Sequence, residues 1–330
     1  MAEDPLYVKH LISRVAGLGA GTGAKTLIVG CAPAIQGVSQ HVNDLKAQSF
    51  VDVVEIAPGD LGKHKQLDVD LKVHAVLVAA INSHSMIKLG NICGAYKAAG
   101  IPVVIITGWP APTNRDKFKF ESKKGGNLTV VGMFDLAALY CRGIPGDILE
   151  FGSFQGYTLQ CAYHAFKWRQ PSNKRRFISF DSFSGIVGAR DKETFSDGIY
   201  AASEPSFRFA NFLADVPDES VETVVGPYDV TIGKNIEKTR EQLGPTEAAL
   251  VHIDCDVEIP AKLALNFVTP YLRQGTLLMF DEYDLQRADN SLGERAALRQ
   301  WLAENPEFEV EHYRSYHISA RSFIVHRKSA

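Results

Sequence analysis

The sequence is short of several things, and each absence excludes a class of protein. No apolar run approaches the ~20 residues that span a bilayer. The N-terminus, Met1-Ala-Glu-Asp-Pro5, starts acidic and lacks the basic-then-apolar pattern of a secretory leader. A soluble, cytoplasmic protein without a membrane partner is therefore expected. Cysteine is sparse: Cys31, Cys93, Cys141, Cys161 and Cys255 are widely scattered, odd in number and never spaced C-x-x-C. That excludes a disulfide framework and a cysteine metal knuckle, and fits a reducing compartment. The ten histidines show no H-x-x-x-H spacing, and no internal repeat of solenoid period is present. Excess positive charge is also missing, with 35 Lys and Arg against 38 Asp and Glu and a net charge of -3. No global field favours a polyanion, so no nucleic-acid partner is expected.

What is present is enough chain for two cores: 330 residues, 45% hydrophobic and 22% charged. A polar, glycine-rich stretch, Glu121-Ser-Lys-Lys-Gly-Gly-Asn127, divides two α/β blocks and predicts domains at residues 1–125 and 126–330. In the first block, apolar strands at Thr26–Gly30, Val51–Ile56, His74–Ala80 and Ile101–Thr107 alternate with helical segments at Val38–Gln48 and Ser85–Ala99. The pattern is that of a small parallel sheet covered on both faces. In the second block a helix through Asp135–Tyr140 precedes strands at Asp147–Phe151, Arg176–Phe180, Glu222–Val225, Ala248–Ile253 and Thr276–Phe280. Phe308–Tyr313 and Ser322–His326 then alternate apolar and polar residues, like an antiparallel terminal hairpin.

The most informative stretch is Glu150-Phe-Gly-Ser-Phe-Gln-Gly156, where a strand runs through an acid into a turn with glycines four apart, then a helix. Glycine permits a sharp turn and close approach of a ligand. The helix N-terminus offers free N–H groups to an anionic end, such as the carboxylate of S-adenosylmethionine (SAM). The spacing differs from the G-x-G-x-x-G that cradles a dinucleotide pyrophosphate. One strand later, Phe177-Ile-Ser-Phe-Asp181 ends in an acid placed to meet ribose hydroxyls, though Asp181, followed by Ser182 and Gly185, also suits an Asx turn. The expected cofactor seat is thus Glu150, Gly152, Ser153, Gly156, Asp181 and Ser182.

A second cluster follows. Val251-His-Ile-Asp-Cys-Asp256 and Leu277-Leu-Met-Phe-Asp281-Glu282 are strands that run into acids. Neighbouring strands lie about 4.8 Å apart, so Asp254 and Asp281 would share the carboxyl edge where parallel sheets bind ligands. Crowded carboxylates repel unless a cation or proton intervenes. Oxygen-only ligands favour a hard divalent ion, magnesium foremost. His252, inside an apolar strand, reads as a satisfied core residue.

Taken in order, Gly146–Gly156, Phe180-Asp-Ser-Phe-Ser-Gly185, Phe195–Ser203, His252–Asp256, Gly275–Tyr283 and Gly293–Leu298 resemble the macrocin and mycinamicin O-methyltransferase family. The resemblance covers about residues 130–330 of the sequence. It implies a class I, Rossmann-like, seven-stranded SAM methyltransferase sheet closed by an antiparallel terminal hairpin, behind a smaller parallel α/β domain. It also implies methyl transfer from SAM to a sugar hydroxyl on a natural product or glycan. Magnesium would be held by Asp254, Asp281 and Glu282, with Asp254 as general base, and related enzymes commonly form homo-oligomers. The segment Asp191–Ser206 is the expected lid. Two departures stand out: the family's Asp-Asp is Asp281-Glu282 here, and its Tyr-Glu-Ser-Thr is replaced by Val257-Glu-Ile-Pro260.

The remaining motifs are weaker. Gly17-Leu-Gly-Ala-Gly-Thr-Gly-Ala-Lys-Thr26 fails as a phosphate loop, because lysine does not follow the last glycine and the run precedes a strand; it reads as a flexible entry segment. Gly30–Gly37 follows a strand and fits a nucleotide or nucleotide-sugar site, but fits a structural or partner-docking role at least as well. Phe118-Lys-Phe120 and Phe207-Arg-Phe209 read as packing or lid aromatics. Two other functions stay open at this point: a non-catalytic SAM- or nucleotide-binding or partner-docking protein, and a nicotinamide-linked oxidoreductase.

Overall fold

A computed structural model of the chain describes residues 5–31, 34–35, 39–48, 50–80, 83–106, 128–172, 174–244 and 246–328. The stretch 121–127, Phe118–Phe120 and part of Gly30–Gly37 lie outside the described residues. The described residues of Met1–Ala111 and Ala201–Leu213 form one compact unit. Those of Pro112–Tyr200 and Ala214–Ala330 form another.

In the first unit, strands β1 (Lys25–Cys31), β2 (Val51–Ile56), β3 (Val73–Ala79) and β4 (Val103–Ile105) make a parallel sheet in the order β2-β1-β3-β4. β1 and β3 are almost wholly buried, as their unbroken apolar runs require. Ile12 and Val15 of the helix Pro5–Ala20 pack with Ile28, Leu77 and Val104 into one core. The glycine run is not a flexible entry, because Gly17 and Gly19 belong to that helix. A Cβ on Gly19 would sit 2.5 Å from the His74 ring, so glycine there admits close helix–strand contact. The single helix expected over Ser85–Ala99 is two, Ser83–Ile92 and Gly94–Ala98, since the Leu67 N–H takes the Ile92 carbonyl and interrupts the helical ladder. The helix Glu204–Leu213 completes this unit: Ser206 Oγ accepts from the Val103 N–H at 2.9 Å, and Ala210 and Leu213 enter the same core.

In the second unit, β5 (Asp147–Phe151), β6 (Phe177–Asp181), β7 (Val221–Val225), β8 (Ala248–Ile253), β9 (Leu277–Phe280), β10 (Phe308–Tyr316) and β11 (Ala320–Arg327) run in the order β10-β11-β9-β8-β5-β6-β7. All neighbours pair in parallel except β11, which pairs antiparallel with both β9 and β10. This is a Rossmann-like seven-stranded sheet with an antiparallel terminal hairpin, its last strand inserted beside β9. Phe151 and Phe180 stack at 4.4 Å between ring centres and meet Phe267 edge-on, anchoring the core. The strand order turns back at β5, between β6 and β8, which opens a crevice beyond the carboxyl ends of those strands. All five cysteines are buried free thiols. Among the described residues no helix is long and apolar enough to cross a membrane.

Candidate active site

The glycine turn leaves β5 with backbone angles that few side chains tolerate. Gly152 has φ +88° and Gly156 φ +83°, while Phe154, between them, is forced to +48°. Gly156 lies at the N-cap of the helix Tyr157–Arg169. A Cβ on Gly152 would lie 1.8 Å from the carbonyl oxygen of Asp254, so only glycine lets this turn touch the end of β8. The Gly152 N–H donates to the Phe180 carbonyl and the Asp254 N–H to that of Phe151, extending the ladders one step past the strands.

Asp181 closes the same turn. Its Oδ2 accepts from the N–H groups of Ser153 (2.8 Å) and Phe154 (2.7 Å), and its Oδ1 from Phe183 (2.6 Å). The Asx turn read from sequence therefore forms, and the carboxylate also braces the glycine turn. Burial raises its pKa, against the pull of these three N–H donors. Ser153 Oγ pairs with Ser179 Oγ at 2.7 Å. The Ser182 hydroxyl donates to Gly185 and accepts from the Ser184 N–H, within its own turn.

Glu150 is buried at 2% exposure, with Oε1 3.2 Å from His252 Nδ1 across the β5–β8 register. Glu150 Oε2 and His252 Nε2 have no hydrogen-bond partner, so His252 is not the satisfied core residue expected from its strand.

The acids at the ends of β8 and β9 converge. One carboxylate oxygen from each of Asp254, Asp281 and Glu282 lies within 4.8 Å of the other two. The backbone explains it: Ile253 pairs with Phe280, and the Asp281 N–H donates to the Ile253 carbonyl, so consecutive acids leave neighbouring strands at one level. Asp281 Oδ1 and Glu282 Oε2 are buried without partners. Three oxygen donors, two of them orphaned, fit a hard divalent cation. Burial, reinforced by Asp281, raises the carboxyl pKa values of Asp254 and Glu282 well above normal. Burial also raises Asp256, at φ +63°, to about 7, with Asp281 and Asp181 adding to the effect.

Several residues at the site had no role assigned from sequence. Glu294, wholly buried in the first turn of the helix Gly293–Glu304, accepts from the Cys255 N–H (3.0 Å) and the Glu282 N–H (3.1 Å). Glu193 Oε1 accepts from the N–H groups of Glu258 (2.8 Å) and Gly293 (3.1 Å), capping two helices, while its Oε2 accepts from Arg190. Thr194 donates twice to Gln286, so this part of the expected lid is tied to the body of the second unit. From Ala201 onward the expected lid belongs to the first unit, where Phe207 is fully buried. Tyr200 packs edge-on to Phe154 and Phe195, and its hydroxyl pKa is pushed up to about 12 by burial and by the nearby acids. An acid in a helix's first turn is a readable signal; the loops it reaches are not.

No protein-family model matches the chain, and no curated protein matches it significantly. Solved structures with a similar fold include the calicheamicin methyltransferase CalS11, at 21% identity and TM-score 0.49, covering 64% of this chain and 80% of that one. The O-methyltransferase NovP is similar at 17% identity and TM-score 0.48, over 59% and 78% of the two chains. The O-methyltransferase from Bacillus cereus in complex with SAH follows at 15% identity and TM-score 0.37, over 70% and 86%.

Proposed function

We propose that the second unit is a SAM-dependent O-methyltransferase that works with a divalent cation, magnesium foremost, on a hydroxyl of a sugar carried by a natural product or glycan. The observation that carries the reading is the meeting of Asp254, Asp281 and Glu282, two of them with orphaned oxygens, beside the glycine turn. The ordered motif resemblance supplies the donor and the acceptor class. Methyl transfer to oxygen is an in-line displacement, so placement and nucleophile charge set its rate.

The turn Gly152–Gly156 and the helix N-terminus would hold the donor's anionic end, with Asp181 fixing the turn's shape. A cation held by Asp254, Asp281 and Glu282 would supply Lewis acidity toward the acceptor hydroxyl. Asp254 would accept that hydroxyl's proton as general base. Phe154 and Phe195, each edge-on to Tyr200, would form an aromatic wall that keeps water from the reacting atoms.

The test is release of S-adenosylhomocysteine from SAM with a panel of glycosylated acceptors, with magnesium and with excess EDTA. Turnover lost in EDTA and restored by magnesium is expected; full turnover in EDTA removes the cation from the reading. Thermal stabilisation by NAD but not SAM would replace it with an oxidoreductase. Binding of SAM without product from any acceptor would leave a binding protein.

A further inference from the structure

We infer that Glu294 is a positioning residue that sets the spacing of Asp254 and Glu282, and through it the affinity of the cation site. The inference rests on the cation reading above. The backbone ladder between β8 and β9 reaches its last step at the Asp281 N–H, which donates to Ile253. Beyond that bond the chain continues as two separate loops, one carrying Asp254 and the other Glu282. Glu294 spans the gap: one oxygen takes the N–H of Cys255, next to Asp254, and the other takes the N–H of Glu282 itself. The two N–H groups are aimed at different oxygens, so a neutral amide in this pose would turn its NH2 toward one of them. The carboxylate satisfies both, one on each loop, with no side-chain exposure.

Glu294 stands outside the three converging acids, and each of its oxygens accepts from one of these N–H groups. Its own place is fixed from behind: the preceding residue, Gly293, donates its N–H to Glu193, which also caps the helix that follows Asp254. The strut is thus rigid at its root and bifurcated at its tip. Groups that orient ligands from behind typically change metal affinity by about 10- to 100-fold when altered.

The experiment is titration of the full-length protein with Mn2+, read by the electron paramagnetic resonance of the free ion, beside calorimetric titration with SAM. Glu294→Gln is expected to weaken Mn2+ by about tenfold or more while leaving SAM affinity, measured in EDTA, within about twofold. Glu294→Asp keeps two acceptor oxygens and should recover part of the loss. Unchanged Mn2+ affinity in folded Glu294→Gln, with wild type binding the ion, overturns the role of Glu294 alone. A wild-type protein that binds no Mn2+ overturns the cation reading and this inference with it. Loss of circular dichroism in both variants would mark Glu294 as a general packing residue and also overturn the inference.

Discussion

The two sheets of this chain share an architecture and differ at their carboxyl edges. In the first, the described strands end on Cys31, Ile56, Ala79 and Ile105, none of them charged. In the second, β6 ends on Asp181, and Asp254 and Asp281-Glu282 follow β8 and β9 directly. Apart from the antiparallel β11 of the second, both are parallel α/β sheets in which the strand order turns back, so the parallel core does not separate them. The residues at the strand ends do. One edge brings carboxylates within ligand distance of one another, while the described strands of the other end on uncharged residues.

The sharpest way to break that contrast is to remove charge from the acidic edge. Asp254→Asn should lower turnover by roughly 10²- to 10⁴-fold, the usual scale of a lost general base, with SAM affinity nearly unchanged. Product formation and calorimetric SAM binding check the pair, and equal loss of both would make Asp254 structural. Next in size is Gly152→Ala. With φ +88° and a 1.8 Å approach to the Asp254 carbonyl, it should cost about 2–4 kcal/mol in urea unfolding of the second unit.

The contrast can also be titrated. Asp254, Glu282 and Asp256 have folded pKa values raised above their unfolded ones, Asp256 to about 7. Between the unfolded carboxyl range and about 7 the folded state binds more protons than the unfolded state. The sign is then that stability falls as pH rises through that window, and is higher below it. EDTA-treated protein should therefore melt at a lower temperature at pH 8 than at pH 5, and magnesium should offset the loss. A second unit whose melting does not change with pH would show that these acids share no buried site. The smallest effect belongs to the first unit. Gly17 lies within a helix with open space where a Cβ would go, so Gly17→Ala should stabilise that unit by about 0.5–1 kcal/mol.

Much of this layout is legible in the sequence because strand ends mark the edge of a parallel sheet. Ala248–Ile253 is an unbroken apolar run and a fully buried strand, and the next residue, Asp254, falls at the edge that its position implies. The glycine turn is legible for a similar reason: positive φ restricts the choice of residue. What escapes is whatever depends on distant pairing. Glu294 acts on an N–H 39 residues away, and Glu193 on one 65 residues away, across loops that no local pattern connects. The helix Glu204–Leu213 packs into a core built mostly from the first hundred residues, which no local composition reveals. Gly19 misled in the other direction, since its smallness serves packing against His74 and not flexibility. His252 sits in an apolar run, yet its partner, Glu150, lies on the adjacent strand.

The contact of Gly152 with Asp254 has a thermodynamic consequence. The turn proposed to seat the methyl donor and the residue proposed to take the proton are separated by a single layer of backbone, too thin for a methyl group. Neither can shift by an ångström without displacing the other. A donor or cation that moved either one on binding would therefore press on the other. Donor and cation should bind with linked free energies, each tightening or loosening the other by the same factor.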